Sequence, residues 1–123
     1  MKKILIIDDD KDFNSSLKEY LGYREFDVSS ALDGKQGLSL ISTETPDLII
    51  TDIVMPELDG IELLDKIQSD TVLSPIKIIA ISGGGRIAGQ QYLSIAEGLG
   101  ADCIFEKPLN LDELIEAINN LLD

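Results

Sequence analysis

Four aspartates carry most of the chemistry open to this chain. Three stand together at the end of one apolar run, Lys3-Ile4-Leu5-Ile6-Ile7-Asp8-Asp9-Asp10, and the fourth closes another, Leu48-Ile49-Ile50-Thr51-Asp52. An apolar run of about four to eight residues that stops at a turn signal predicts a fully buried parallel strand. The acids therefore fall just past the carboxyl ends of two strands, where open α/β sheets hold their ligands. Carboxylates gathered in one crevice repel each other unless a proton or a metal ion offsets them. Oxygen-only donors suit a hard divalent cation; magnesium is the expected one, and manganese could substitute for it.

Two further groups stand at strand ends. Ser82 closes the run Ile76-Lys77-Ile78-Ile79-Ala80-Ile81, and Lys107 precedes Pro108 after the last apolar run. With the first, third, fourth and fifth strands side by side, Asp8, Asp9, Asp52, Ser82 and Lys107 converge on one edge of the sheet. A carboxylate nucleophile, a cation site, a hydroxyl donor and an ammonium group could together hold a phosphoryl group on an aspartate.

The elements that must position these groups alternate at a period of roughly 25 residues, the signature of βαβ units. Strands are expected near 3–7, 26–31, 48–52, 76–81 and 102–106, and helices near 11–22, 34–43, 60–70, 88–98 and 111–122. The second strand alternates polar and apolar residues and so reads as an edge. Leu111, Leu114, Ile115, Ile118, Leu121 and Leu122 form one apolar stripe on the last helix. Asn110 with Glu113 resembles a capping box at its start. Asp10, Asp33 and Asp59 read as N-caps of the first three helices, and Gly22 as the stop of the first. Strict alternation gives a doubly wound, mostly parallel α/β sheet. No linker, repeat or low-complexity stretch divides the 123 residues, so 1–123 reads as one domain.

Composition removes many alternatives. The chain has no histidine, which excludes Ser-His-Asp and Cys-His catalysis, histidine zinc sites and a phosphohistidine. Its single cysteine, Cys103, excludes an internal disulfide and thiolate clusters, reads as a small core residue and fits a reducing cytoplasm. The net charge of −13 argues against direct nucleic-acid binding. No apolar run approaches the roughly 18 residues of a membrane span, and no secretion leader is expected. Gly83-Gly84-Gly85 lacks a P-loop lysine and follows the wrong strand for a nucleotide loop.

The strings Ile6-Ile7-Asp8-Asp9-Asp10, Asp52-Ile53-Val54-Met55-Pro56-Glu57-Leu58-Asp59-Gly60, Ala80-Ile81-Ser82-Gly83 and Gly100-Ala101-Asp102 through Lys107-Pro108 occur in family-like order and spacing. Together they resemble the receiver domain of two-component response regulators, of the chemotaxis type, over essentially the whole length. The resemblance implies a five-stranded (βα)5 flavodoxin-like fold with strand order 2-1-3-4-5. It implies that Asp52 accepts a phosphoryl group from a histidine kinase or a phosphotransfer protein. Asp9 would be a direct magnesium ligand, Asp8 an outer one through water, and the Val54 backbone carbonyl a further ligand. Ser82 would be the switch hydroxyl, Lys107 the partner of Asp52 and then of phosphate, and the Lys107–Pro108 bond cis. Partners are expected on the face of the fourth helix, fifth strand and fifth helix, which could also form a homodimer.

By typical strengths, phosphate bound to Lys107 and Ser82 biases a two-state element by roughly 2–4.5 kcal/mol. Inverting a population from 1:99 to 99:1 needs about 5.5 kcal/mol. Phosphorylation alone is therefore expected to shift the domain incompletely, with a partner completing the change.

Three departures stand out. Ile104 occupies the place, three residues before the lysine, where the family commonly has Tyr or Phe, and strand alternation points Phe105 to the opposite face. The Gly83-Gly84-Gly85-Arg86 loop is unusually glycine-rich. Val54 and Gly84 stand where polar side chains help orient the water that removes the phosphoryl group in relatives, so slow self-dephosphorylation is expected. The competing reading is an interaction module that works without phosphate. An enzyme is disfavoured: aspartyl-phosphate phosphohydrolases place a second Asp where this chain has Val54, and three anions after the first strand would repel a flavin phosphate.

Overall fold

Ile and Leu dominate the runs at 4–7, 48–50 and 78–81 and leave nothing polar to face water until each run ends, so these central strands bury both faces. In the computed structural model, which describes residues 1–53, 60–83, 98 and 100–123, five strands form one parallel sheet. They are β1 (Lys3–Ile7), β2 (Asp27–Ala31), β3 (Leu48–Asp52), β4 (Lys77–Gly83) and β5 (Cys103–Lys107), in the order β2-β1-β3-β4-β5. The described helices are α1 (Lys11–Tyr23), α2 (Gly34–Glu44), α3 (Gly60–Ser69) and α4 (Leu111–Leu122). The doubly wound α/β fold and its strand order are those the sequence implied, with β2 on an edge. The helix expected over 88–98 lies outside the described residues apart from Gly98, which is helical.

Alternation splits the core into two layers. Leu5, Ile7, Ile49, Ile78 and Ala80 pack with Ile41 of α2 and Leu63, Leu64 and Ile67 of α3. Ile4, Ile6, Leu48, Ile50, Ile79 and Ile81 pack with Leu17 and Leu21 of α1 and Leu114 and Ile118 of α4. Ile104 joins the first layer and Phe105 the second, as strand alternation demands. Half-buried Cys103 packs in the second layer, and burial pushes its thiol up from the ordinary value, with Asp102 adding to the effect. At Gly37 a Cβ would come within 2.5 Å of Ile7 Cδ1, so glycine lets α2 approach β1 closely.

The caps read from local sequence are present. Asp10 accepts from the backbone of Asp12 and Phe13, Asp33 from Gln36, and Asn110 from Glu113. Asp59 lies outside the described residues. The stop of α1 differs from expectation: the helix runs one residue past Gly22, and Glu25 takes the left-handed conformation at φ 70°. Phe26 decides this, because its side chain packs into the α1 layer while its amide donates to the Leu21 carbonyl. Docking that ring places the chain reversal at Glu25.

Candidate functional site

Register brings the acids together. β1 pairs with β3 so that Ile7 lies beside Thr51, which sets the next residues, Asp8 just past β1 and Asp52 at the end of β3, at one level. β4 pairs with β5 so that Gly83 lies beside Lys107, and Asp52 pairs with Ile81. Asp8 is 1% exposed and Asp52 7%, whereas Asp9 is exposed. One carboxylate oxygen from each of Asp8, Asp9 and Asp52 lies within 4.8 Å of the others. Lys107, one-fifth exposed, reaches over this group with Nζ 2.9 Å from Asp8 Oδ2 and 3.7 Å from Asp52 Oδ2. The resemblance pairs this lysine with Asp52; here its ammonium sits closer to Asp8. The Lys107–Pro108 peptide is cis, as expected.

Asp8 carries the electrostatic strain of the site. Burial pushes its carboxyl above the ordinary range, Asp9 adds to the rise, and Lys107 and the Asp10 amide pull it part of the way back. The Asp10 N–H donates to Oδ1. Oδ2 has the Lys107 ammonium 2.9 Å away as its partner. Three carboxylates facing one ammonium leave the cluster anionic. Three carboxylate oxygens within reach of one point, more negative charge than one ammonium offsets, fit a hard divalent cation. Val54, whose carbonyl the resemblance adds to the ligand set, lies outside the described residues.

Ser82 is buried on β4, next to β3. It follows by alternation from Ala80, which packs in the layer of α3 together with Ile104. Asp8 and Lys107 follow from Ile6 and Phe105 in the opposite layer. The structure thus brings Asp8, Asp9, Asp52 and Lys107 into one ionic group and sets Ser82 on the neighbouring strand beside it.

Two residues escaped the sequence reading. Asn14, buried in α1, donates from Nδ2 to the carbonyls of Asp8 at 3.0 Å and Ala31 at 2.8 Å, tying the ends of β1 and β2 to the helix. Its signal was a polar residue on the same helix face as Leu17 and Leu21. Asn14→Ala orphans the Asp8 carbonyl and is expected to lower unfolding free energy by about 1–3 kcal/mol in urea denaturation. The second is Phe13, whose ring lies 4.1 Å from Lys107 Nζ.

A doubly wound sheet with three carboxylates and a lysine at its carboxyl edge places the chain among open α/β domains that gather a charged site at their strand ends. The family model of the response regulator receiver domain matches residues 4–119, and the chain belongs to that family. It is therefore a receiver domain of the two-component response regulators. It is 34% identical over 122 residues to the response regulator MprA of Mycolicibacterium vanbaalenii, covering 98% of this chain and 50% of that protein. The chain thus spans about half the length of the curated relatives it matches. Among solved structures, the Francisella response regulator 1452 receiver domain aligns with a TM-score of 0.87 at 32% identity, over 99% of this chain and 97% of that one. A two-component response regulator from Clostridium difficile aligns with a TM-score of 0.88 at 30% identity, over 99% and 96%.

Proposed function

We propose that Asp52 accepts a phosphoryl group from a histidine kinase or phosphotransfer protein and that the phospho-form changes which partner the domain binds. The observation that carries this reading is the Asp52 carboxylate held among Asp8, Asp9 and Lys107 at the sheet edge. In the transfer, an Asp52 carboxylate oxygen forms the new bond to phosphorus while the bond from phosphorus to the donor's leaving atom breaks. Lys107 stands within a few ångströms of Asp52 to offset the charge on the phosphoryl oxygens, and Ser82 is the hydroxyl proposed to follow them. Asp8, Asp9 and Asp52, with the Val54 carbonyl, would hold magnesium, or manganese in its place. Bound there, the ion supplies charge neutralisation for the phosphoryl oxygens. No chemistry beyond the domain's own phosphorylation and dephosphorylation is assigned to it.

Incubation with magnesium and acetyl phosphate is expected to give a phosphoryl-sized gain in intact mass, abolished by a chelator. A folded, metal-binding protein with no gain would point instead to an interaction module independent of phosphate. The decay of the phospho-form is a separate prediction. Val54 and Gly84, both outside the described residues, offer no side chain to hold a hydrolytic water. The mass gain should accordingly decay slowly beside other receiver domains; rapid loss would refute that.

The partner face proposed is the segment 88–98 with β5 and α4. Of that face, 88–97 lies outside the described residues. Among the described residues no helix is long and apolar enough to cross a membrane, and the setting proposed for this switch is the cytoplasm.

A further inference from the structure

We infer that Phe13 is a positioning residue for Lys107, its ring holding the ammonium between Asp8 and Asp52. This rests on the phosphoacceptor reading above. Lys107 has a long, flexible stem ending in a point charge, and one-fifth of its side chain is open to water. Left to its charge alone, such an ammonium samples many rotamers, and its freezing opposes every step that needs it. Here the ring centroid of Phe13 lies 4.1 Å from Nζ, well inside the distance at which a ring face attracts a cation. Nζ thereby has two close partners, the ring and Asp8 Oδ2 at 2.9 Å, with Asp52 Oδ2 at 3.7 Å.

The ring is itself held in place. The Phe13 amide donates to Asp10 Oδ1 at 3.1 Å, and the neighbouring Asn14 ties the same turn to the carbonyls of Asp8 and Ala31. The three successive aspartates thus divide the work: Asp8 pairs with Lys107, Asp9 joins the carboxylate cluster with Asp8 and Asp52, and Asp10 caps the helix turn that carries the aromatic ring. Phe13 and Lys107 also border one mostly apolar 570 Å³ groove with Leu17, Tyr20, Pro108 and Leu109. A charge fixed before the phosphoryl group arrives needs no reorganisation when it is used.

The test compares wild type with Phe13→Leu, which keeps an apolar side chain, and Phe13→Tyr, which keeps the π face. Three quantities are read: the ring-current shift of the Lys107 ε-methylene by NMR, assigned with Lys107→Arg; the rate of phosphoryl uptake from acetyl phosphate at saturating magnesium; and the magnesium concentration at half-saturation. Phe13→Leu should abolish the ring-current shift and slow uptake about fivefold, with half-saturation unchanged, while Phe13→Tyr retains the wild-type values. A Lys107 shift that persists in Phe13→Leu overturns the inference. So does a rate loss matched by a drift in half-saturation in both variants, since that reports damage to α1 and the acids it supports. If wild type takes up no phosphoryl group, the function assigned above fails, and the ring-current comparison still decides whether Phe13 positions Lys107.

Discussion

Asp52→Asn should leave the domain folded, magnesium-responsive and unable to take up a phosphoryl group. Asparagine keeps the size and shape of aspartate but offers a neutral amide in place of the nucleophilic carboxylate. The expected loss is roughly a thousandfold or more, the scale on which removal of a covalent nucleophile is felt. Intact mass after treatment with magnesium and acetyl phosphate reads the result directly. Asp52 is 7% exposed and 3.7 Å from Lys107, so the amide also removes one charge from a crowded anionic cluster. The variant should therefore be no less stable to heat than wild type, which separates lost chemistry from lost structure. Undiminished uptake would move the acceptor to another carboxylate, and Asp9, the exposed member of the cluster, would be the next to replace.

Asp8→Asn should stabilise the metal-free domain at neutral pH while weakening magnesium. Burial raises the Asp8 carboxyl above its ordinary value, so the native state binds its proton more tightly than the unfolded chain does. That contribution favours folding fully below the unfolded value, about 3.9, and is lost as pH rises through the raised native value. At neutral pH the ionised Asp8 is a cost that Lys107 offsets only in part. Asparagine escapes that cost and still has an oxygen to accept the Asp10 amide. A gain of about 1–2 kcal/mol is expected, the scale of an imperfectly compensated buried polar group. Urea unfolding of both proteins across pH checks the sign: the advantage of Asp8→Asn should grow from pH 4 upward and vanish below it. Saturating magnesium should reverse the order, because a cation beside three carboxylates rewards the charge that burial penalises. If Asp8→Asn is destabilising at every pH, the Lys107 ion pair outweighs desolvation and the electrostatic account of the site is wrong.

Much of the molecule was legible because its signals are local. The buried runs at 3–7 and 48–52 need no partner to be read as parallel strands, since only a sheet covered on both faces tolerates such continuous Ile and Leu. Asp10, Asp33 and Asn110 were readable as caps for a similar reason: each bonds an amide two or three residues onward. Placing Asp8, Asp9, Asp52 and Lys107 at one edge required only that strands end where their apolar runs end.

What needed the fold were distances between groups remote in the chain. That Lys107 leans on Asp8 more closely than on Asp52 follows from the pairing of β5 with β4 and from the ring of Phe13 beneath it. The α1 stop moved from Gly22 to Glu25 because Phe26 found a place in the core, and burial of a ring outweighs the convenience of a glycine. Asn14 escaped the sequence reading because its role depends on two carbonyls, of Asp8 and Ala31 at the ends of β1 and β2, that only the fold brings within its reach. Composition and periodicity determined which residues lie at the sheet edge. Register and packing decided which of them touch, because contacts of a few ångströms depend on how strands and helices from distant parts of the chain are set against one another.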